Sequence, residues 1–304
     1  MRVGVIGCGA IGSLFAAHLA TLEDVEVWAY DVSEAHVNAI NRAGLRLTGV
    51  GEVHSRPRAT AVPAELPPLD FGIVATKGMF TGSAVQATVT ALADAAVCSV
   101  QNGVGNEEII AEHVAKVIRG TTFPAGHMLE PGVVQWDTGG KTWIGPFEPS
   151  PASMDEVTAL ADTLTRSGME TVALPDARGA QWTKLIFNAA SNALCSLTLL
   201  PHGRACVHED VRWVMDRVID EGKLVAEALG VEMETDPADL LESSIEVAFE
   251  HKPSMLQDVL ARRATEIDML NGGIVRFGEE TGIPTPFNRT AWALIRGLEA
   301  SWKL

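Results

Sequence analysis

Residues 1–20 read MRVGVIGCGAIGSLFAAHLA, and the six in the middle, Gly7-Cys8-Gly9-Ala10-Ile11-Gly12, decide the fold. A short apolar strand signal, Val3 to Ile6, runs directly into this G-x-G-x-x-G, and a helical periodicity over Ile11 to Leu22 follows it. In that context each glycine has a mechanical reason. Gly7 permits the tight turn, Gly9 lets backbone approach a pyrophosphate, and Gly12 lets helix and strand pack closely, with Ala10 and Ile11 opening the helix whose N-terminus favours phosphate charge. The one arginine ahead of the apolar run has the look of a short signal peptide. Ordered glycines inside the run speak against that, and a cytoplasmic protein is expected.

Working outward, Val25 to Tyr30 (VEVWAY) is a second strand, and Asp31 ends it. It stands about 20 residues beyond the glycines, where an acid binds the adenosine ribose hydroxyls and repels a 2′-phosphate. The plain alternative is a solvated loop aspartate. Val32, Ser33 and Glu34 offer no cation to a phosphate, so NAD is preferred over NADP. Phe71 to Ala75 and Ala96 to Val100 are further buried strands with helical stretches between them. This alternation specifies a Rossmann-like, doubly wound parallel sheet.

From Gly120 to Phe147 the texture changes to glycine- and tryptophan-bearing alternation, read as antiparallel strands closing the first domain. Val172 to Pro175 is the last strand. Beyond Asp176 the chain reads as helix, with breakers at Pro201-His202-Gly203, Pro237, Pro253 and Gly282 to Pro286. The expected plan is α/β: a dinucleotide-binding domain over 1–175 and an all-helical substrate and catalytic domain over 176–304.

The 304 residues carry a formal net charge of −16, which argues against nucleic acid and anionic membranes as partners. Cys8, Cys98, Cys195 and Cys206 lack metal-type spacing, so no metal site is expected, and buried thiols in a reducing compartment are the simple reading. A small-molecule substrate is expected; monomer and homodimer both stay open.

In the helical part, residues 182–194 read WTKLIFNAASNAL. Lys184, Asn188 and Asn192 recur every fourth residue, a polar stripe on an otherwise apolar helix. Burying an ammonium and two amides costs several kcal/mol unless partners meet them. Either a structural hydrogen-bond network satisfies the stripe or it lines a polar cavity for a substrate.

Residues 74–81 (VATKGMFT), 99–108 (SVQNGVGNEE), 184–194 (KLIFNAASNAL) and 253–272 (PSMLQDVLARRATEIDMLNG) resemble, in order and over essentially the whole chain, the signature blocks of the ketopantoate reductase family. The resemblance implies reduction of a 2-oxo acid, or oxidation of the matching (R)-2-hydroxy acid, with a nicotinamide cofactor. It implies Lys184 as proton donor to the carbonyl oxygen, a role that suits a buried lysine of lowered pKa. It places Asn102 beside the nicotinamide ribose and the reacting carbonyl, Lys77 near the cofactor, and Asn188 and Asn192 on substrate oxygens. Glu266 hydrogen-bonds the substrate and sets the lysine's charge; the plain alternative is a helical i, i+4 partner of Arg262. Ser254 receives the substrate carboxylate, or caps a helix, or both.

The sequence departs from the family where Asp31 replaces a basic residue, where His202 and His251 replace asparagines expected against the substrate, and where Cys195 replaces a common threonine. An imidazole is larger and flatter than an amide, so the substrate is ketopantoate or a bulkier, aromatic 2-oxo acid. The β-hydroxyacid dehydrogenases share the lysine-asparagine helix but lack the S-M-L-Q-D block. A non-catalytic NAD-binding regulator would not need a positioned proton donor.

Overall fold

The computed structural model describes residues 1–233 and 235–303. Two of its strands, FGIV at 71–74 and AVCS at 96–99, are buried along their whole length. Burial on both faces is what a helix-covered parallel sheet demands. The elements begin β1 (Arg2–Ile6), α1 (Ala10–Leu19), β2 (Glu26–Tyr30), α2 (Glu34–Ala43), β3 (Leu45–Gly49), β4 (Val53–Ser55) and β5 (Arg58–Thr60). They continue with β6 (Phe71–Val74), α3 (Thr81–Leu92), β7 (Ala96–Ser99), α4 (Asn106–Ala111) and β8 (Val117–Thr122). Then come β9 (Ala125–Glu130), β10 (Val133–Thr138), β11 (Thr142–Pro146), α5 (Met154–Arg166) and β12 (Thr171–Ala173).

The main sheet has the order β12-β11-β8-β7-β6-β1-β2-β5. From β5 to β8 all neighbours are parallel, with Val5 opposite Ala29 on one side and Ile73 on the other. β1 lies between β6 and β2, so the glycine turn leaves the sheet where the strand order reverses, the place at which such sheets take ligands. Phe15 and Leu19 of α1 pack with Val5, Val27 and Ala29 in the principal apolar core.

The glycine- and tryptophan-bearing stretch does not close the domain as one antiparallel run. β8 and β11 pair antiparallel in the main sheet, whereas β9 and β10 form a hairpin in a separate sheet, β4-β3-β10-β9. Trp136 of β10, half-buried, packs against α1, with its ring edge-on to His18 at 5.1 Å.

The helical elements are α6 (Arg178–Thr198), α7 (His202–Val207), α8 (Glu209–Ala228), α9 (Pro237–Val247), α10 (Ser254–Leu260), α11 (Asn271–Thr281) and α12 (Pro286–Ser301). The breakers act at their ends: Asp236 caps α9 ahead of Pro237, Gly282 takes φ +76° after α11, and Pro286 opens α12. α6 is the core of this part. Its Leu185, Ile186, Ala189 and Ala193 pack with Met215, Val218 and Ile219 of α8. Gly222 lets α8 approach, since a Cβ there would lie 2.7 Å from Ile186 Cγ1.

The chain divides into two compact units, Met1–Gln101 with Asn106–Ala177, and Arg178–Leu304 with Asn102–Gly105. The second unit thus borrows four residues from the QNGVG stretch.

Candidate active site

In the first unit the glycine loop has the geometry its spacing implies. Gly7 has φ +88°, and a Cβ on it would lie 2.8 Å from the Thr76 backbone nitrogen. A Cβ on Gly12 would lie 2.0 Å from the Gly7 carbonyl oxygen. Nothing stands within 4 Å of the corresponding point on Gly9, so backbone there borders open space. Gly9 is the N-cap of α1 and brings no side-chain cap, which leaves the Ala10 and Ile11 N–H groups facing beyond the helix end. Open space in front of uncapped N–H groups fits a pyrophosphate.

Asp31 follows β2. Its Oδ2 accepts the Cys8 N–H at 2.9 Å and its Oδ1 the Ser33 N–H at 2.8 Å. It is therefore no freely solvated loop residue, although it stays half-exposed. Lys77, also half-exposed, precedes a single 3-10 turn after β6. Beside it lies a polar cluster that the sequence did not single out. Gln101 Nε2 bonds the Thr76 carbonyl at 2.9 Å and Thr81 Oγ1 at 2.8 Å, and Thr81 bonds Asn106 at 3.0 Å. It ties the end of β7 to the loop after β6. No residue spacing marks it, since its members are ordinary polar residues brought together by the sheet.

In the second unit, Lys184, Asn188 and Asn192 share one face of α6. Lys184 Nζ donates to Asn102 Oδ1 at 2.9 Å, and Asn102 Nδ2 donates to Glu266 Oε2 at 3.1 Å. Burial pushes the Lys184 ammonium down to about 8, with the Glu266 charge acting in the opposite direction. Asn102 is set by its own turn. Gly103 has φ +83°, and a Cβ there would lie 2.2 Å from the Met269 carbonyl oxygen. That same oxygen accepts the Val104 N–H at 3.1 Å, while Gln181 of α6 bonds the Gly103 carbonyl at 3.3 Å. Gln181, one turn before Lys184, is a positioning residue missing from the sequence reading.

Glu266 is 9% exposed and lies in the turn between α10 and α11, not on a helix. Arg262, at φ +49°, breaks any helical i, i+4 relation between the two, so the surface-pair alternative falls. Asn188 and Asn192 are 8% and 4% exposed. Among the described residues neither side chain makes a hydrogen bond, yet neither belongs to the enclosed polar atoms left without a partner. Their amides border accessible space. The stripe is not saturated by a structural network.

The remaining expected substrate residues separate. Ser254 is exposed at the first position of α10; Pro253 is the N-cap, and no side-chain cap bond forms, so the capping role is absent. His251 is exposed, and its carbonyl accepts the His202 N–H at 2.8 Å. His202 is not presented to open space. It is 2% exposed, with Nδ1 2.7 Å from Ser191 Oγ and Nε2 2.8 Å from Ser244 Oγ. Both ring nitrogens are taken, and the ring links α6, α7 and α9. Burial, with His251 nearby, lowers its pKa to about 4. The four cysteines are free and buried.

The family description Ketopantoate reductase PanE/ApbA matches residues 3–149, and its C-terminal counterpart matches residues 176–299. The chain belongs to the ketopantoate reductase family. Members of this family are NAD(P)-dependent oxidoreductases acting on CH–OH groups, and the chain is one of them. It is 33% identical over 303 residues to a 2-dehydropantoate 2-reductase of Pyrococcus horikoshii, covering 99% of this chain and 98% of that one. A crystal structure of a PanE/ApbA family ketopantoate reductase from Ralstonia eutropha JMP134 superposes with a TM-score of 0.89, at 33% identity and with all of both chains covered. A ternary structure of D-mandelate dehydrogenase with NADH and anilino(oxo)acetate gives 0.90 at 26% identity, again over all of both chains. Among the described residues no helix is long and apolar enough to cross a membrane, and no group of three or more His, Cys, Asp or Glu could hold a metal ion.

Proposed function

We propose that the protein reduces a 2-oxo acid to the (R)-2-hydroxy acid with NADH, the substrate being ketopantoate or a bulkier relative of it. The Lys184–Asn102–Glu266 line carries this reading, because it holds a lysine of pKa about 8 in place by hydrogen bonds. Bound at the glycine loop, the nicotinamide cofactor supplies the hydride that adds to the carbonyl carbon. Lys184 Nζ gives a proton to the carbonyl oxygen, which would otherwise become an unsupported alkoxide. Near neutral pH the amine is mostly protonated, yet it yields its proton more readily than an ordinary lysine. Asn102 orients the ammonium, and the Glu266 charge keeps it protonated.

Asn188 and Asn192 donate their amide N–H groups to substrate oxygens, and Ser254 and His251 stand as further candidates to receive the carboxylate. His202, buried with both ring nitrogens engaged, is not among them. Gly7, Gly9, Ala10, Ile11, Gly12 and Lys77 hold the cofactor. Asp31 directs the choice towards NAD by meeting the ribose hydroxyls and repelling a 2′-phosphate.

A second reading, an aryl-2-oxo acid reductase, is favoured by the likeness to D-mandelate dehydrogenase, whose ternary structure holds anilino(oxo)acetate. Steady-state NADH oxidation with ketopantoate, branched-alkyl and aryl 2-oxo acids separates the two. Highest kcat/KM with ketopantoate selects the first and with the aryl acid the second. Tight NADH binding with no turnover of any member sinks both in favour of a regulator.

A further inference from the structure

A buried run of hydrogen bonds passes beneath the glycine loop and ends on Asp31. It starts in the turn between β9 and β10, where the Gly132 N–H donates to Nδ1 of His36 at 3.0 Å. A neutral imidazole carries one N–H, so the accepting Nδ1 puts the proton on Nε2, 3.3 Å from Ser13 Oγ. Burial lowers the His36 pKa, which keeps the ring neutral and Nδ1 available as acceptor. Ser13 is fixed in turn: its oxygen accepts from His36 and its hydroxyl donates to the Cys8 carbonyl at 3.0 Å. The N–H of the same Cys8 donates to Asp31 Oδ2 at 2.9 Å. Ser13 and His36 are 0% and 4% exposed, so water does not offer either an alternative partner.

We propose that Ser13 and His36 are positioning residues for cofactor choice: they fix the Cys8 backbone and, through it, hold the Asp31 carboxylate where it meets a free ribose 2′-hydroxyl and excludes a 2′-phosphate. The inference rests on the NAD reading of Asp31 given above. Each carboxylate oxygen has one backbone N–H and keeps a further lone-pair direction, which suits the two hydroxyl donors of a ribose. The Ser33 bond is local and travels with the turn that bears Asp31. The Cys8 bond reaches back 23 residues and is the one that ties the carboxylate to the phosphate-binding loop. Once that tie is loosened, the carboxylate turns aside, greets a hydroxyl less well and opposes a phosphate less strongly.

The test uses the full chain and calorimetric binding of ADP-ribose and 2′-phospho-ADP-ribose, with thermal melts on every variant. The wild type should favour ADP-ribose by more than ~10-fold, an energy difference above ~1.4 kcal/mol. Ser13→Ala and His36→Phe should each shrink that ratio by at least about fivefold, chiefly by weakening ADP-ribose, the scale of one lost charge-assisted hydrogen bond. His36→Gln, which can accept from Gly132 and donate to Ser13, should restore most of it. An unchanged ratio in folded Ser13→Ala overturns the proposal whatever His36→Phe does, and so does an equal loss for both ligands. A wild type with no preference overturns the Asp31 reading itself and this inference with it.

Discussion

The glycine loop of the first unit and the lysine line of the second are built from different material. The loop is backbone: Gly7, Gly9 and Gly12 act by lacking a side chain, and Asp31 is clamped by two peptide N–H groups. The lysine line is side chain throughout, and its hydrogen bonds join residues 82 and 164 positions apart in sequence. A site made of backbone is held by its neighbours along the chain and by steric fit. A site made of distant side chains is held by the packing of whole helices, and each member can be removed singly with the fold left standing. The two regions should therefore answer differently to substitution.

The largest contrast comes from Lys184→Ala. On the proposed reading it removes the proton donor and the cation that would face the developing alkoxide, so kcat should fall at least ~10²-fold. The glycine loop lies in the other unit and does not involve Lys184, so NADH affinity, read by fluorescence titration, should stay within about twofold. A parallel loss of cofactor affinity, or normal turnover, would erase the distinction between the regions.

The contrast also marks how much was readable beforehand. G-x-G-x-x-G and Asp31 lie on neighbouring elements, so strand–turn–helix order and spacing single them out, and the structure leaves open space at Gly9. The stripe on α6 was legible as periodicity, but spacing could not say whether it was saturated. Only the three-dimensional contacts distinguish the unengaged Asn188 and Asn192 from a structural network. Asn102 and Glu266 came from resemblance, since nothing local joins a glycine turn at residue 103 to a turn at 266. His202 misled for the opposite reason. Its replacement of an amide suggested altered chemistry, whereas the serines that occupy its ring come from two other helices and carry no signal in sequence. β3 and β4 carry no such local signal, because their sheet is completed only by strands some 80 residues later.

A smaller effect sharpens the side-chain region alone. With the Lys184 pKa at about 8, the acid form is the competent one for reduction, so kcat should decline as pH rises through about 8. Glu266 raises that pKa, and Glu266→Gln should accordingly move the alkaline limb to lower pH, with a loss of roughly tenfold or less at neutral pH. The pH profile is the decisive readout, because a merely destabilised enzyme would lose rate at all pH values alike. A limb that stays in place, or moves upward, removes Glu266 from control of the lysine.

The smallest effect on catalysis should come from His202→Asn. Since both ring nitrogens are engaged by Ser191 and Ser244, the imidazole does not meet substrate, and the preference among 2-oxo acids should change less than about twofold. The change belongs to stability instead. The folded ring has a pKa of about 4 against an ordinary value of about 6.5, so the unfolded chain takes up the proton first. Its stabilising contribution is complete above about pH 6.5 and is lost progressively as pH falls towards about 4, by up to about 3 kcal/mol. An asparagine cannot titrate there. Urea unfolding at several pH values should thus give a variant weaker by about 1–2 kcal/mol at neutral pH, from poorer pairing of the two buried serines, but with a flatter acid dependence than the wild type. A shift of substrate preference well beyond twofold, with the acid limb unchanged, would return His202 to the substrate pocket and make the helix link incidental.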